Sequence, residues 1–142
     1  MPGIAGMGAA VDLWQKNRTA WAEHAYALKN KVIETVNRWE DVQIITQEPS
    51  SPYILMLGMK DCKAEVMLHS LEQRGISIST GSACSKGAMS HVLEATKTPQ
   101  EYASGALRIS FSHEVDADDT QVLLQAMQEN MDMIRKITKG RK

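Results

Sequence analysis

Several residue types are scarce in this chain of 142 residues, and each scarcity excludes a class of protein. Two cysteines, Cys62 and Cys84, are too few for a disulfide-stabilised scaffold, so we expect free thiols in a reducing compartment. Aromatic residues make up only 5%, so methionines are expected to fill core positions in their place. The methionines predicted to lie in the core are Met7, Met56, Met67, Met127 and Met131. The net charge of −1 gives no reason to expect nucleic acid as a partner.

Long apolar runs and familiar ligand-binding motifs are also missing. No run approaches the roughly 20 apolar residues that span a bilayer, and no signal-peptide pattern opens the chain, so we expect a cytoplasmic protein without a membrane partner. The sequence contains no phosphate-binding glycine motif, no CxxC pair and no HExxH helix. Its four histidines are scattered, and no pair is spaced to bind a metal from one helical face.

Apolar spacing divides the chain into helices and strands that together predict an α+β fold. The predicted elements are a loop over 1–8, a long helix over 9–40, strands over 42–45 and 53–57, a helix over 61–75, a strand over 76–78, short helical segments beginning at Ser90 and Thr98, a strand over 106–111 and a helix from Asp116. No repeat of buried parallel strands is seen. We therefore expect a two-layer sandwich, in which helices cover one small, mostly antiparallel sheet, and a single domain over 1–142.

Local signals mark several of the helix ends. The Asp61 carboxylate is predicted to cap the second helix, and Gly75 to end it at the C′ position. The sequence Thr98-Pro99-Gln100-Glu101 matches a capping box with proline at the first helical position. Three carboxylates over 116–119 favour the start of the last helix, because they lie near the positive end of its dipole.

One thiol lies in a stretch of small and hydroxylated residues that a hydrophobic core would not select. The stretch, GISISTGSACSKG, runs over 75–87 and has Cys84 near its middle. The pattern predicts a strand that leads into a mobile loop, because the glycines permit backbone angles that other residues resist. Lys86 would favour the reactive thiolate form of Cys84. A surface connection that happens to contain a cysteine is the alternative.

Arg108 lies in a strand pattern that alternates between apolar and polar residues. Leu107, Ile109 and Phe111 share one face, so Arg108 is expected to project from the other. A guanidinium on a rigid strand is suited to binding a carboxylate through two parallel hydrogen bonds. Together with the thiol it suggests chemistry on an amino acid. Two alternatives remain: a solubilising arginine, and a Cys–His hydrolase with His91 as the base.

The cysteine and arginine segments resemble the cysteine desulfurases, the NifS- and IscS-like members of the class V aminotransferase family. GISISTGSACSKGAMSHVLEA, followed by GALRISFS and the final helix, is similar to the C-terminal part of these enzymes. PGIAGMGAA resembles the segment where the family's chain leaves its large pyridoxal-phosphate domain, and SSPYILMLGMKDCKAEVMLHSLEQRG fits the strand and helix between. The resemblance covers essentially the whole chain, and it implies the C-terminal small domain of a fold-type I transferase that depends on pyridoxal phosphate.

The resemblance also implies a function for the two candidate residues. Cys84 would be the nucleophile that takes sulfur from L-cysteine as a persulfide, leaving L-alanine, and Arg108 would hold the substrate carboxylate. The persulfide sulfur would pass to an acceptor protein for iron–sulfur cluster or thio-RNA synthesis.

The sequence departs from the family at the cofactor. The family's His-Lys context has no counterpart, and none of the lysines, including Lys60, Lys63 and Lys86, can be assigned as the cofactor lysine. We therefore expect that the large domain is absent and that this chain alone is inactive. Two further alternatives follow: a stand-alone sulfur-carrier or interaction module, and a selenocysteine lyase-like domain.

Overall fold

The structure, a computed structural model, describes the backbone of residues 1–80 and 91–139. Its elements are α1 (Pro2–Val36), β1 (Val42–Ile44), β2 (Ile54–Met59), α2 (Ala64–Glu72), β3 (Ser79–Thr80), α3 (His91–Ala95), α4 (Gln100–Ala103), β4 (Ala106–Ser110) and α5 (Ala117–Lys139). This order confirms the predicted α+β class. Ser90 itself lies outside the described residues.

The four described strands form one sheet in the order β1-β2-β4-β3, and every neighbouring pair is antiparallel. Alternate residues of β2 and β4 point toward α1, α2 and α5, where the main core lies. The strand residues buried in that core are Leu55, Leu57, Met59, Leu107 and Ile109. The opposite face is covered at one end by a smaller cluster that includes Ile45, Leu93 and Ala106. The two-layer arrangement is therefore confirmed.

The first helix begins much earlier than the sequence suggested. Helix α1 starts at Pro2, so the predicted loop over 1–8 is wrong. Proline suits the first helical position, because the N–H group that it lacks would have no partner there. Only the second half of α1 packs on the core, through Ala25, Leu28, Val32 and Val36. Met7 is therefore exposed rather than buried, whereas Met67, Met127 and Met131 are buried as predicted.

The cap predicted for the start of α2 is wrong, and the glycine predicted to end α2 is confirmed. Asp61 has a φ of 55° and precedes the helix, and no side chain caps α2 at its N-terminal residue, Lys63. At the other end, Gly75 has a φ of 75°. Its N–H donates to the Glu72 carbonyl at 2.9 Å, and the N–H of Ile76 donates to the Leu71 carbonyl at 3.0 Å. These two bonds form a Schellman motif, which ends the helix as expected.

Strand β3 lies later in the chain than predicted, at Ser79–Thr80 rather than over 76–78. The N–H of Ile76 is already bonded to α2, and the side chains of Ile76 and Ile78 pack against the core. Ladder pairing begins only where Ser79 meets Arg108 and Thr80 meets Leu107. The β-branched residues Ile76 and Ile78 are therefore buried core residues that precede the strand.

The side-chain contacts of the predicted capping box do not form, although α4 begins within a residue of the expected position. The Thr98 hydroxyl lies 2.8 Å from that of Thr96, and Glu101 forms an ion pair with Lys60 at 2.8 Å. Both side chains thus have partners outside the helix end. The start of α5 is confirmed, because Asp116 Oδ1 accepts hydrogen bonds from the backbone N–H groups of residues 118 and 119 at 2.8 and 2.9 Å.

Candidate functional site

Arg108 occupies the middle of β4, on the sheet face that α1, α2 and α5 do not cover. Its register partners are Met56 on β2 and Ser79 on β3. The side chain is exposed between the buried Leu107 and Ile109, as the alternating pattern predicted. Arg108 therefore projects from a rigid central strand, and its stem is flanked by a thioether and a hydroxyl.

Among the described residues, none occupies the Arg108 guanidinium. Across residues 1–80 and 91–137, no hydrogen bond or ion pair to a described group engages this side chain. Planar guanidinium groups bind carboxylates through two parallel hydrogen bonds, and a backbone held in a ladder on both sides fixes the direction of approach. The sequence could not identify Met56 and Ser79 as its neighbours, because strand register depends on pairing across the sheet.

The segment that contains Cys84 begins beside Arg108. Thr80 is the last residue of β3, and Ser79 pairs directly with Arg108. Cys84 and Lys86 themselves fall within 81–90, outside the described residues. Cys84 is the fourth residue after Thr80, so the Cα atoms of these two residues are at most about 14 Å apart. This limit follows from the length of the intervening chain alone.

Cys62, the other cysteine, has the environment of an unreactive thiol. It is 3% exposed, and its thiol donates a weak hydrogen bond to the Lys63 carbonyl at 3.7 Å. Burial raises the pKa of Cys62 to about 11, because the thiolate is poorly solvated in the core. The protonated form therefore dominates at neutral pH, and nucleophilic chemistry at Cys62 is disfavoured.

Two of the described lysines, Lys29 and Lys60, do not fit a pyridoxal-phosphate site. Lys29 is the buried lysine, and its ammonium donates to Glu48 Oε1 at 3.0 Å, to the Ser51 carbonyl at 3.1 Å and to the Ser50 hydroxyl. Lys60 is paired with Glu101, and the hydrogen bond between them raises the Lys60 pKa. A Schiff base requires an amine that is available to the cofactor, and both of these amines are engaged by acceptors of this fold.

The described ranges contain neither a metal site nor a membrane-spanning helix. Within residues 1–80 and 91–139, no group of three His, Cys, Asp or Glu side chains could hold a metal ion. His91 is fully exposed at the start of α3. None of the helices in the same ranges combines the length and apolar character needed to cross a membrane.

Comparison with known proteins identifies the family. The family model described as Aminotransferase class-V matches residues 1–123. A cysteine desulfurase of Gluconacetobacter diazotrophicus is 32% identical over 131 residues, which cover 87% of this chain and 32% of the relative. A cysteine desulfurase of Cereibacter sphaeroides is 28% identical over 144 residues, or 97% of this chain and 36% of the relative.

Solved structures give the same result. A NifS-like protein matches 93% of this chain and 34% of its own, with a TM-score of 0.81 and 25% identity. A NifS-like protein from Rickettsia africae matches 91% of this chain and 34% of its own, with a TM-score of 0.79 and 24% identity, which bears on the fold alone. The chain thus spans about a third of the length of these relatives, and the resemblance seen in the cysteine and arginine segments is confirmed. This chain belongs to the aminotransferase class-V family.

Proposed function

We propose that this chain supplies the sulfur-accepting cysteine, Cys84, and the carboxylate-binding arginine, Arg108, of a cysteine desulfurase. The observation that carries the proposal is the pairing of Ser79 with Arg108, which brings the start of the cysteine segment beside an exposed guanidinium. The relatives named cysteine desulfurase support the same assignment.

In this proposal, Arg108 orients the substrate through its carboxylate, and Cys84 attacks its sulfur as a thiolate. A sulfur–sulfur bond forms, the carbon–sulfur bond of L-cysteine breaks, and the carbon keeps the electron pair and takes up a proton to give L-alanine. The carbon needs an electron-accepting group, which family resemblance assigns to pyridoxal phosphate. Lys29 and Lys60 do not fit that cofactor, and in this proposal the cofactor and its lysine lie outside this part of the protein. The persulfide then passes to an acceptor protein for iron–sulfur cluster or thio-RNA synthesis.

A chimera tests the proposal. This chain replaces the matching third of the Gluconacetobacter desulfurase, and the absorbance of bound pyridoxal phosphate reports whether the chimera is assembled. We expect alanine release from L-cysteine, and we expect Cys84→Ser to abolish it without loss of cofactor absorbance. Cys62→Ser is the matched control, and it should retain activity because Cys62 is buried and protonated.

Arg108→Ala tests the second residue in the same chimera. Losing a bidentate, charge-assisted contact should raise KM for L-cysteine about 50-fold or more, equivalent to roughly 2–3 kcal/mol. Arg74→Ala is the matched control, because Arg74 pairs with Glu129 on α5 at 2.5 Å and should leave KM unchanged. Full activity in Cys84→Ser would refute the proposed nucleophile. Activity with selenocysteine alone, or sulfur acceptance from a small persulfide without alanine release, would favour the lyase or carrier alternative.

A further inference from the structure

The ladder between β3 and β4 stops one step before β4 ends. Odd-numbered residues bond toward β2, since the N–H of Phe111, directly after β4, donates to the carbonyl directly before β2 at 2.9 Å. The even-numbered residues therefore direct their main-chain groups toward β3, where Arg108 pairs with Ser79. The next pair in this register would join Ser110 to Ser77, but β3 begins only at Ser79. Within the described part of the chain, the edge of β4 is thus open at Ser110.

The main-chain groups of Ser110 have no bonding partner in the described ranges, 1–80 and 91–139. Neither its N–H nor its C=O is bonded to a described group, and the same holds for Ser77. The N–H of Ile76 is still bonded to α2, at 3.0 Å, so the segment joins β4 only two residues beyond Ser77. Unpaired groups at a strand edge form a template for another extended chain. The missing step of the ladder therefore offers hydrogen bonds of main-chain geometry.

A cavity of about 360 Å³ lies at this open edge. Ser77 and Ser110 line it on the side of the sheet, and the first turns of α5 line it on the other side. A second cavity of about 190 Å³ continues along α5, and the two meet at Val122, which lines both. We call the joined cavities the β4 groove. Its walls are mostly apolar, and they include Ile76, Ile78, Phe111, Val115, Val122 and Leu123.

Carboxylates are concentrated at the end of the β4 groove where α5 starts. Four of them lie over 114–119, all on exposed residues, and Asp119 lines the groove itself. Arg74 also lines the groove, but its guanidinium is paired with Glu129 at 2.5 Å. The ammonium of Lys31 donates to a carbonyl in the first turn of α5 at 3.1 Å, and it balances only part of this charge. The negative balance favours a ligand that carries positive charge.

We propose that the β4 groove binds an extended peptide segment of a partner protein, in which an apolar residue lies close to lysine or arginine. The peptide adds a strand at Ser110, whose N–H donates to a peptide carbonyl and whose C=O accepts from a peptide N–H. The apolar side chain enters the cavity beside Phe111 and Leu123, and the basic side chain reaches the carboxylates over 114–119. Strand addition draws affinity from main-chain bonds and specificity from side-chain pockets.

The open ladder is the reason to choose a peptide over a small apolar molecule. An apolar molecule could fill the cavity, but it would leave the N–H and C=O of Ser110 without partners. A peptide satisfies these groups and the apolar walls together, because its main-chain groups and its side chains alternate in direction along the strand. This inference is independent of the proposed desulfurase function.

Titration of the 142-residue chain, labelled with nitrogen-15, is the test. The probe is the peptide acetyl-Lys-Val-Leu-Val-Arg-amide, and amide resonances are followed by NMR. We expect the resonances of Ser77, Ser110 and Val122 to shift and saturate with a Kd of about 1 mM or tighter. With leucine in the cavity, the valine N–H groups point toward β4, so N-methylation of both valines should weaken binding about tenfold. Glutamates in place of the lysine and arginine should weaken it about fivefold or more.

Variants of the chain test the same contacts from the other side. Ser110→Pro removes the free N–H but keeps the bonds to β2, and it should weaken binding about tenfold. Val122→Lys places a charge in the groove and should weaken binding as much, whereas Val66→Lys is the matched control, since Val66 is 50% exposed on α2 and does not line the groove.

Four outcomes would overturn the proposal. They are the absence of a saturable shift up to about 5 mM peptide, shifts that lie outside the β4 groove, equal binding of the N-methylated peptide, and equal weakening by Val122→Lys and Val66→Lys. The chimera with the Gluconacetobacter desulfurase supplies a further control. Binding to the 142-residue chain but not to the chimera would overturn a separate partner, because the remaining two-thirds of the enzyme would then cover the groove.

Discussion

The buried thiol of Cys62 should react far more slowly than an accessible cysteine, and the size of the difference follows from its pKa. With a pKa of about 11, Cys62 is ionised to roughly one part in a thousand at pH 8. An accessible thiol with a pKa of about 8.5 is ionised to roughly one part in four at that pH. Since the thiolate is the nucleophile, alkylation of Cys62 should be about 250-fold slower, before any steric protection is counted.

The assay uses Cys84→Ser, which leaves Cys62 as the single thiol. Alkylation by iodoacetamide is followed by mass spectrometry between pH 7 and 10, with Cys62→Ser as the matched variant that keeps the other thiol. The Cys62 rate should rise about tenfold per pH unit across this range, because its pKa lies above it. A rate within tenfold of a small free thiol at pH 8, or a plateau below pH 9.5, would refute the reasoning.

The same pKa makes the stability of the fold depend on pH. The folded-state pKa of Cys62 is raised above its unfolded value of about 8.5, because burial disfavours the thiolate. The stabilisation from the protonated thiol is therefore fully present below about pH 8.5, and it is lost as the pH rises toward 11. The urea midpoint should fall over that window in the native chain and fall less in Cys62→Ala. Parallel curves for the two proteins would contradict the assignment.

Two further substitutions test the packing of the domain. Lys29→Ala should lower the free energy of unfolding by about 2–3 kcal/mol, because Glu48, Ser50 and Ser51 lose the buried ammonium that donates hydrogen bonds to them. The exposed Lys16→Ala should change the free energy of unfolding little, and equal urea midpoints for the two variants would refute this prediction. Gly105→Ala should prevent folding or destabilise by about 3 kcal/mol or more, because its Cβ would lie 2.1 Å from the Met59 carbonyl oxygen. Gly6→Ala, with open space around the added methyl, should instead increase helix content, and circular dichroism distinguishes the two outcomes.

Predictions from local patterns succeeded where the relevant contacts are themselves local. Asp116 bonds to backbone groups two and three residues ahead, and Gly75 ends α2 through bonds within its own last turn. The alternation around Arg108 likewise reports on one strand with one buried face. In each case the partners lie within a few residues in sequence, so spacing carries the information.

Predictions failed where a distant group competed for the same atoms. Glu101 pairs with Lys60 rather than with its own helix end, and the N–H of Ile76 is bonded to α2 rather than to a strand. Lys29, a charged residue of α1, is buried because the turn between β1 and β2 folds over its ammonium. In the folded chain these groups bond to residues that are distant in sequence, and a local sequence pattern cannot identify such partners.

The sequence by itself determined the α+β class, the outward direction of Arg108 and the choice of Cys84 as the candidate nucleophile, because each rests on local periodicity, composition or a motif. Only the tertiary structure decided that Ser79 lies beside Arg108, that Cys62 is buried and that, within the described part of the chain, only the second half of α1 packs on the core. Strand register, thiol solvation and the extent of helix packing all depend on residues that are far apart in the chain and meet only when it folds.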